Sequence, residues 1–379
     1  MKSLAPFRIL PVTDKKSLAR FVNLPWALHK HDSSWVPPLK KSVYDLLSSS
    51  HPFHKTSTMR LWIAIDQTER TIGRIAAIIN RAHNDFHSEK TGFFGLFESI
   101  PDEKVATALL NEAESWILVE GMERIRGPVS PSTNYECGLL VEGHEDPPQI
   151  MMPWHPRHYP LLIEGAGYTK AKDLLAYRMY SSMELPEKIV QTAQFVESSC
   201  KITWRNIDMR KWAQEVETMY SIYQEAWEKN WGFVPMSKEE FLHSTNEMKL
   251  IMDTDMVIFA EVKGTPVGFI AALPDYNQVF KRIKNGKLFP FGLLKILTGR
   301  RHINRVRVIL LGIKPSFRNM GLSGLLIKKI HETNKNTGRY KEGEMGWVLE
   351  DNLAMTKPIE LICSSAYKRY RIYEKVLGE

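Results

Sequence analysis

The chain has 379 residues, 43% of them hydrophobic and 25% charged, which is the composition of an ordinary globular protein long enough for two domains. Its net charge of +8 is concentrated, because nine Lys or Arg and no acid lie between Lys281 and Arg307 and the remainder nets −1. Three widely spaced cysteines (Cys137, Cys200, Cys363) suggest neither a disulfide framework nor a zinc site, and no apolar run approaches the ~18–20 residues that cross a bilayer. A cytoplasmic protein is expected, since Met1 to Arg8 has no apolar core of a signal peptide.

In chain order, a strand over 7–12 precedes helices within 16–47. Two β-branched runs, Leu61 to Ile65 and Ile72 to Ile78, then flank a short polar turn and read as a hairpin. A strand follows over 93–97 and a helix over 102–120, with Val105, Leu109, Ala113, Trp116 and Ile117 at helical spacing and Gly121 as its stop. A strand at 124–128, a long loop, a helix near Tyr159 and strands around 168–180 complete the first half. The segment 187–199 reads as helix.

The pattern then repeats. Ile72-Gly-Arg-Ile-Ala-Ala-Ile78 matches Val267-Gly-Phe-Ile-Ala-Ala-Leu273, with Gly73 and Gly268 separated by 195 residues. Glu164 to Tyr168 falls opposite Glu360 to Ser364 at an offset of 196. Nearly equal offsets at two distant anchors imply two copies of one α/β unit. The expected division is 1–186, a helical linker at 187–201, and 202–379.

The copies differ at one junction. In the second, the run Val306 to Ile313 leads through Lys314-Pro-Ser-Phe-Arg-Asn-Met-Gly321 into an amphipathic segment, Leu322 to Asn336. A strand, a glycine-bearing turn and a helix start form an anion site, because the first helical amides lack partners. Gly321 and Gly324 permit close backbone approach, and Arg318 adds positive charge. The first copy has Glu98-Ser-Ile-Pro-Asp-Glu103 there, which repels a phosphate. One phosphate site per chain is expected.

This order of elements resembles the GCN5-related N-acetyltransferase (GNAT) superfamily, whose loop Gln/Arg-x-x-Gly-x-Gly/Ala is matched by Arg318-Asn-Met-Gly321-Leu-Ser323 with Ser last. The resemblance implies an α/β fold of two tandem GNAT-like domains, each a mixed central sheet flanked by helices. The first would be a degenerate copy and the second the acyl-CoA-binding one. It implies that pyrophosphate meets Arg318, Asn319, Met320, Gly321, Leu322, Ser323 and Gly324. The pantetheine arm would lie between the strands 306–313 and 344–349, with the amides of Leu311, Gly312 and Ile313 as oxyanion donors. Asn352 fits the family's Asn after the second strand, as a CoA contact or as a helix cap. Ile359 stands where the family has its tyrosine acid, and Cys363-Ser364 replaces Gly-Phe.

Leu288 to Gly292, Trp347 to Asn352 and Tyr367 to Glu374 resemble a narrower group of tandem GNAT-like bacterial N-acyltransferases, the bacterial ceramide synthase-like proteins. The implied activity is transfer from acetyl-CoA or a long-chain acyl-CoA, without a metal, to an amine, with a sphingoid-type amine as the specific expectation. Direct attack in a ternary complex is implied, since no cysteine is placed to form an acyl-enzyme.

Acyl transfer to an amine needs a proton acceptor and a donor for the leaving thiolate. Glu350, with Asp351 beside it, either takes a proton from the ammonium or caps the next helix. Glu344 is a second candidate, because strand parity puts it on the face of Glu350. Tyr370, with Tyr367 and Tyr373, either supplies the missing phenol or packs a strand against the core. The loop 126–138 either lines an acceptor pocket or is structural. His155 and His158 read as structural, with no metal-ligand company.

The basic segment 281–307 encloses the apolar run Leu288 to Leu297. It suits an anionic membrane surface on the inner face, the mouth of an acyl channel, or an amphipathic helix packed on its domain. Nucleic acid is not expected as a partner. Two rival activities remain: a Fem-type transferase fed by aminoacyl-tRNA, and an acyl-CoA-binding protein without catalysis.

Overall fold

The computed structural model describes residues 6–378, the side chain of Asn319 excepted. The first half runs β1 (Arg8–Pro11), α1 (Lys15–His29), α2 (Lys40–Leu46), β2 (Ser57–Ile65), β3 (Thr71–Asn80), α3 (Arg81–His87), β4 (Thr91–Ser99) and α4 (Glu103–Val119). It continues through β5 (Arg124–Gly127), β6 (Val129–Ser130), β7 (Glu136–Cys137), β8 (Leu139–Glu142), α5 (Tyr159–Gly165) and β9 (Thr169–Tyr180). The second half runs α6 (Glu187–Cys200), β10 (Ile202–Asn206), α7 (Trp212–Trp227), α8 (Lys238–Lys249), β11 (Val257–Val262), β12 (Thr265–Pro274), α9 (Asn277–Phe280) and α10 (Phe291–Gly299). It ends with β13 (Arg305–Ile313), α11 (Leu322–Thr337), β14 (Glu342–Leu349), α12 (Leu353–Cys363) and β15 (Lys368–Val376).

These elements form two compact units, neither of them continuous in sequence. Of the described residues, unit 1 comprises 6–173, 279–298 and 369–378, and unit 2 comprises 174–278 and 299–368. In unit 1, β1, β2, β3 and β4 pair antiparallel in that order, β4 pairs parallel with β5, and β15 pairs antiparallel with β5. In unit 2 the antiparallel run is β10, β11, β12 and β13, then β13 pairs parallel with β14, and β14 pairs antiparallel with the later part of β9. Each unit is the mixed sheet with flanking helices that the resemblance implies.

The boundary differs from the contiguous one expected at 186 and 202, because the final strands are exchanged. β15 is held within unit 1 by Arg371 on Asp173 (2.8 Å), Tyr373 on Glu164 (2.9 Å) and Lys375 on Glu114 (2.9 Å). Sequence repeats mark ancestry of segments and carry no information about which sheet edge a terminal strand joins. The segment 187–201 is also more than a linker: α6 buries Ile189, Ala193 and Val196 within unit 2 and packs on α11 and β10.

Local sequence explains the main helices. Asp14 caps α1 with a reciprocal Ser17 bond, and Asp102 caps α4 by accepting from the Val105 amide at 3.0 Å. α4 buries Val105, Leu109, Ala113, Trp116 and Ile117, the expected face, and ends at Gly121 with φ +83°. The repeat glycine has a packing reason: a Cβ on Gly73 would lie 2.6 Å from the Leu109 side chain, so its absence lets α4 settle on β3. Among the described residues no helix is long and apolar enough to cross a membrane.

Candidate functional site

In unit 2 the parallel pairing of β13 with β14 stops at Val308 opposite Met345. Two irregularities lie at that level. Between β12 and β13 the register slips at Ala271/Ala272, leaving Ile309 as an extra residue, and between β14 and β9 it slips between Met345 and Val348. Bulges bend the strands that carry them, so β13 and β14 separate beyond this point. The gap is a cavity of about 330 Å³ lined by Val308 to Leu311, Ile313, Ile327, Met345 to Leu349, Met355 and Ile359. Polar groups reach it from Arg318, Ser323, Asn230 and Asn352.

At the end of β13 the chain makes a short 3-10 turn, Pro315–Met320, and enters α11 through Gly321, whose φ of +79° requires glycine. No side chain caps this helix. The amides of Leu322, Ser323 and Gly324 precede the first intrahelical bond, which Leu325 donates to Gly321. A Cβ on Gly324 would meet nothing within 4 Å, whereas one on Gly321 would press on Thr192 of α6 at 3.3 Å.

The sequence candidates divide. Leu311, Ile313, Arg318, Ser323 and Asn352 line the cavity. Asn352 sits at the N-cap of α12 without a side-chain capping bond, so its amide is not spent on the helix. Gly312 does not itself line the cavity, but a Cβ there would lie 2.9 Å from the ring of Trp227, which does. Leu322 is buried in the unit and Met320 is exposed; neither lines the cavity. The side chain of Asn319 lies outside the described residues. Arg318 has a role the sequence did not show: its guanidinium donates to the carbonyls of Glu225 and Ala226 (2.8 Å to the latter), which end α7 and lack helical partners. It fixes the loop to α7 as well as bringing charge.

None of the three catalytic candidates lines the cavity. Glu350 lies in the turn after β14, half-buried. The parity that put it on the face of Glu344 fails, because β14 carries a register slip between them and ends at Leu349. Glu344 is fully buried, paired with Arg307 at 3.1 Å and hydrogen-bonded by the Tyr367 hydroxyl. Arg307 also donates to the Gly346 carbonyl at 2.7 Å, so this network braces β14 where the strands part. Tyr370 is 0% exposed, on β15 in unit 1. Among the described residues, the lining thus includes no carboxylate, phenol or thiol, and Ile359 is apolar where the resemblance expects a tyrosine.

Unit 1 shows how the same junction is closed. The position of the gap is taken by the chain itself: a Cβ on Gly95 would lie 1.5 Å from the Val129 carbonyl oxygen, and Ser130 accepts from the Leu96 amide at 3.1 Å. Part of the Pro- and Ser-rich loop is therefore a structural plug. The start of α4 is capped by Asp102. Glu98 is bound by His29 (2.6 Å), by the Tyr159 hydroxyl (2.7 Å) and by Arg74 (3.5 Å). Burial alone would raise this carboxyl, but those partners outweigh it and bring it down to about 2. His155 is also in unit 1, and burial pushes it down to about 4.

Unit 2 thus combines a split between parallel strands with a helix start that no side chain caps. No protein-family model matches the chain. It is 33% identical over 368 residues to protein YghO of Escherichia coli K12 (96% of this chain, 93% of that protein). It is 33% identical over 381 residues to bacterial ceramide synthase of Caulobacter vibrioides (98% of each). The chain belongs to the family of these two proteins. Among solved structures, a tandem GNAT protein of the clavulanic acid biosynthesis pathway superposes with a TM-score of 0.56 at 9% identity, covering 99% of both chains. A GNAT-type region of a fungal multi-domain GH3 β-N-acetylglucosaminidase gives 0.58 at 13% identity; this chain spans 38% of that longer one. These two show the fold alone.

Proposed function

We propose that the protein transfers an acyl group from acyl-CoA to the amine of a long-chain, sphingoid-type acceptor, with unit 2 binding the donor. The observation that carries this reading is the uncapped start of α11, entered through left-handed Gly321, at the end of a strand that has parted from its neighbour. The amides of Leu322, Ser323 and Gly324, which precede the first helical bond, suit a pyrophosphate. The apolar walls from Val308, Leu310, Met345, Val348 and Met355 suit a pantetheine arm and the start of an acyl chain. The choice of acceptor is supported by the relative named bacterial ceramide synthase.

In the reaction the amine nitrogen forms a bond to the thioester carbon, the carbon–sulfur bond breaks, and the proton lost by the amine ends on the departing sulfur. This chain's contribution at the cavity is orientation and charge stabilisation. The amides of β13 that no longer face β14 supply the oxyanion contacts, and Asn352 steadies the arm. With no carboxylate, phenol, thiol or imidazole among the described residues lining the cavity, proton transfer falls to water or to groups outside it.

The test is calorimetric titration with acetyl-CoA and palmitoyl-CoA, followed by mass-spectrometric detection of N-acyl product from a long-chain amine. Binding of palmitoyl-CoA and formation of the amide are expected. Failure of both donors to bind would overturn the donor assignment, and binding with no product from any long-chain amine would overturn the acceptor.

A further inference from the structure

The apolar insert is built outward. Within α10 and the residues just before it, Phe289 is 66% exposed, Phe291 72%, Leu294 59% and Leu297 68%. Four large apolar side chains within nine residues, all turned to solvent, are unusual for a surface that meets only water. Isolated exposed leucines need no explanation, but Phe291, Leu294 and Leu297 recur every three residues along one helix with Phe289 just before it.

The base of the segment is rigid. Ile283 is buried, and the Trp26 indole donates to the Lys284 carbonyl at 3.0 Å. The Lys40 amide donates to the Gly286 carbonyl at 2.9 Å. Gly286, with φ +65°, is seated so closely that a Cβ would lie 2.4 Å from the Trp26 ring. Lys295 is tied back to the Arg282 carbonyl at 2.8 Å. Unit 1 therefore grips one end of the segment and holds the apolar face away from its own core.

The charge around that face selects its partner. Lys281, Arg282, Lys284, Lys287 and Lys295 are all exposed within unit 1, and no acid occurs from Lys281 to Arg307. A second copy of the same face would bring cations against cations. An anionic lipid surface offers both an apolar layer for the phenylalanines and leucines and negative headgroups for the lysines. We infer that this face docks unit 1 onto an anionic phospholipid membrane, with Phe289, Phe291, Leu294 and Leu297 entering the headgroup–acyl boundary.

This inference goes beyond the proposed function and stands on unit 1 alone. The full chain is sedimented with phosphatidylcholine vesicles and with phosphatidylcholine–phosphatidylglycerol vesicles, at low and high salt. Wild-type protein is expected to bind only the anionic vesicles, and less at high salt. The triple variant F289S/F291S/L294S, at exposed positions, should keep its melting temperature and lose at least roughly tenfold in partition. Lys281→Glu with Lys284→Glu should remove the preference for anionic lipid.

No binding by wild type, or binding unchanged in the triple variant, overturns the inference. So does a concentration-dependent dimer that the triple variant abolishes, which would assign the face to a second copy. Acyl-CoA titration of the same samples separates the outcomes. Lost vesicle binding with intact CoA binding is the expected result for the variant, and missing CoA binding in wild type would sink the proposed function without touching this one.

Discussion

Gly324→Asp sets two measurable effects against each other. Gly324 is the third residue of α11, in ordinary helical backbone with open space around a Cβ. Replacing a helical glycine recovers a few tenths of a kcal/mol of propensity, and a carboxylate in the first turn of an uncapped helix adds about 0.3–1 kcal/mol. Stability should therefore rise by about 1 kcal/mol, or roughly 2–4 °C in Tm for a domain of this size. The same carboxylate would stand near the amides assigned to pyrophosphate. At about 5 Å and an effective dielectric near 20, repulsion per phosphate charge is about 3 kcal/mol, on the order of a hundredfold in Kd. The assay is thermal melting paired with calorimetric titration of acetyl-CoA. A raised Tm with unchanged CoA affinity would refute the pyrophosphate assignment. A lowered Tm would refute the claim that Gly324 is structurally unconstrained. Gly321 is a poorer choice for this test, because its positive φ and the nearby Thr192 make any side chain there costly to the fold.

Three further outcomes are expected. Glu344→Ala removes the carboxylate that balances the buried Arg307 guanidinium and should cost about 3–5 kcal/mol in urea denaturation; a cost within error would mean the pair braces nothing. Gly312→Ala should displace the Trp227 ring, lowering stability by about 1–3 kcal/mol and weakening acyl-CoA binding, since Trp227 lines the cavity. His83 is held down at about 4 by burial and by neighbouring His87, with Glu89 opposing and Arg126 adding to the depression. Its native form thus resists a proton that the unfolded chain accepts near pH 6.5. Stability from this group is complete above pH 6.5 and falls as pH drops to about 4, by about 3 kcal/mol in all. His83→Gln should flatten that part of the stability profile, and an unchanged slope would show that His83 does not drive it.

Much of the fold was legible because local rules carried it. The hairpins, α4 with its Asp102 cap and Gly121 stop, and the strand–turn–helix at 305–337 follow from periodicity and from residues with strong backbone preferences. The glycine-entered start of α11 was legible for the same reason, since a glycine at positive φ has a local cause. The surroundings of the catalytic candidates were not. Glu344 looked like a strand carboxylate facing a ligand, but Arg307 and Tyr367 claim it from positions 37 residues before and 23 residues after it in the chain. Arg318 looked like a phosphate ligand, and the carbonyls it holds come from a helix 93 residues earlier. The plug in unit 1 gave only the signal of Gly95 and the Pro–Ser loop, neither of which names the other.

By itself the sequence determined the two α/β copies, a glycine-entered helix start without a carboxylate cap in the second copy, and the confinement of basic charge to a single apolar segment. These depend on neighbours within a few residues, where backbone sterics and charge act directly. Only the tertiary structure decided which sheet each terminal strand completes, which of the two strand gaps stays open, and whether the apolar segment turns inward or outward. Those outcomes depend on competition among distant partners for the same edge, gap or face, and no local spacing records who wins.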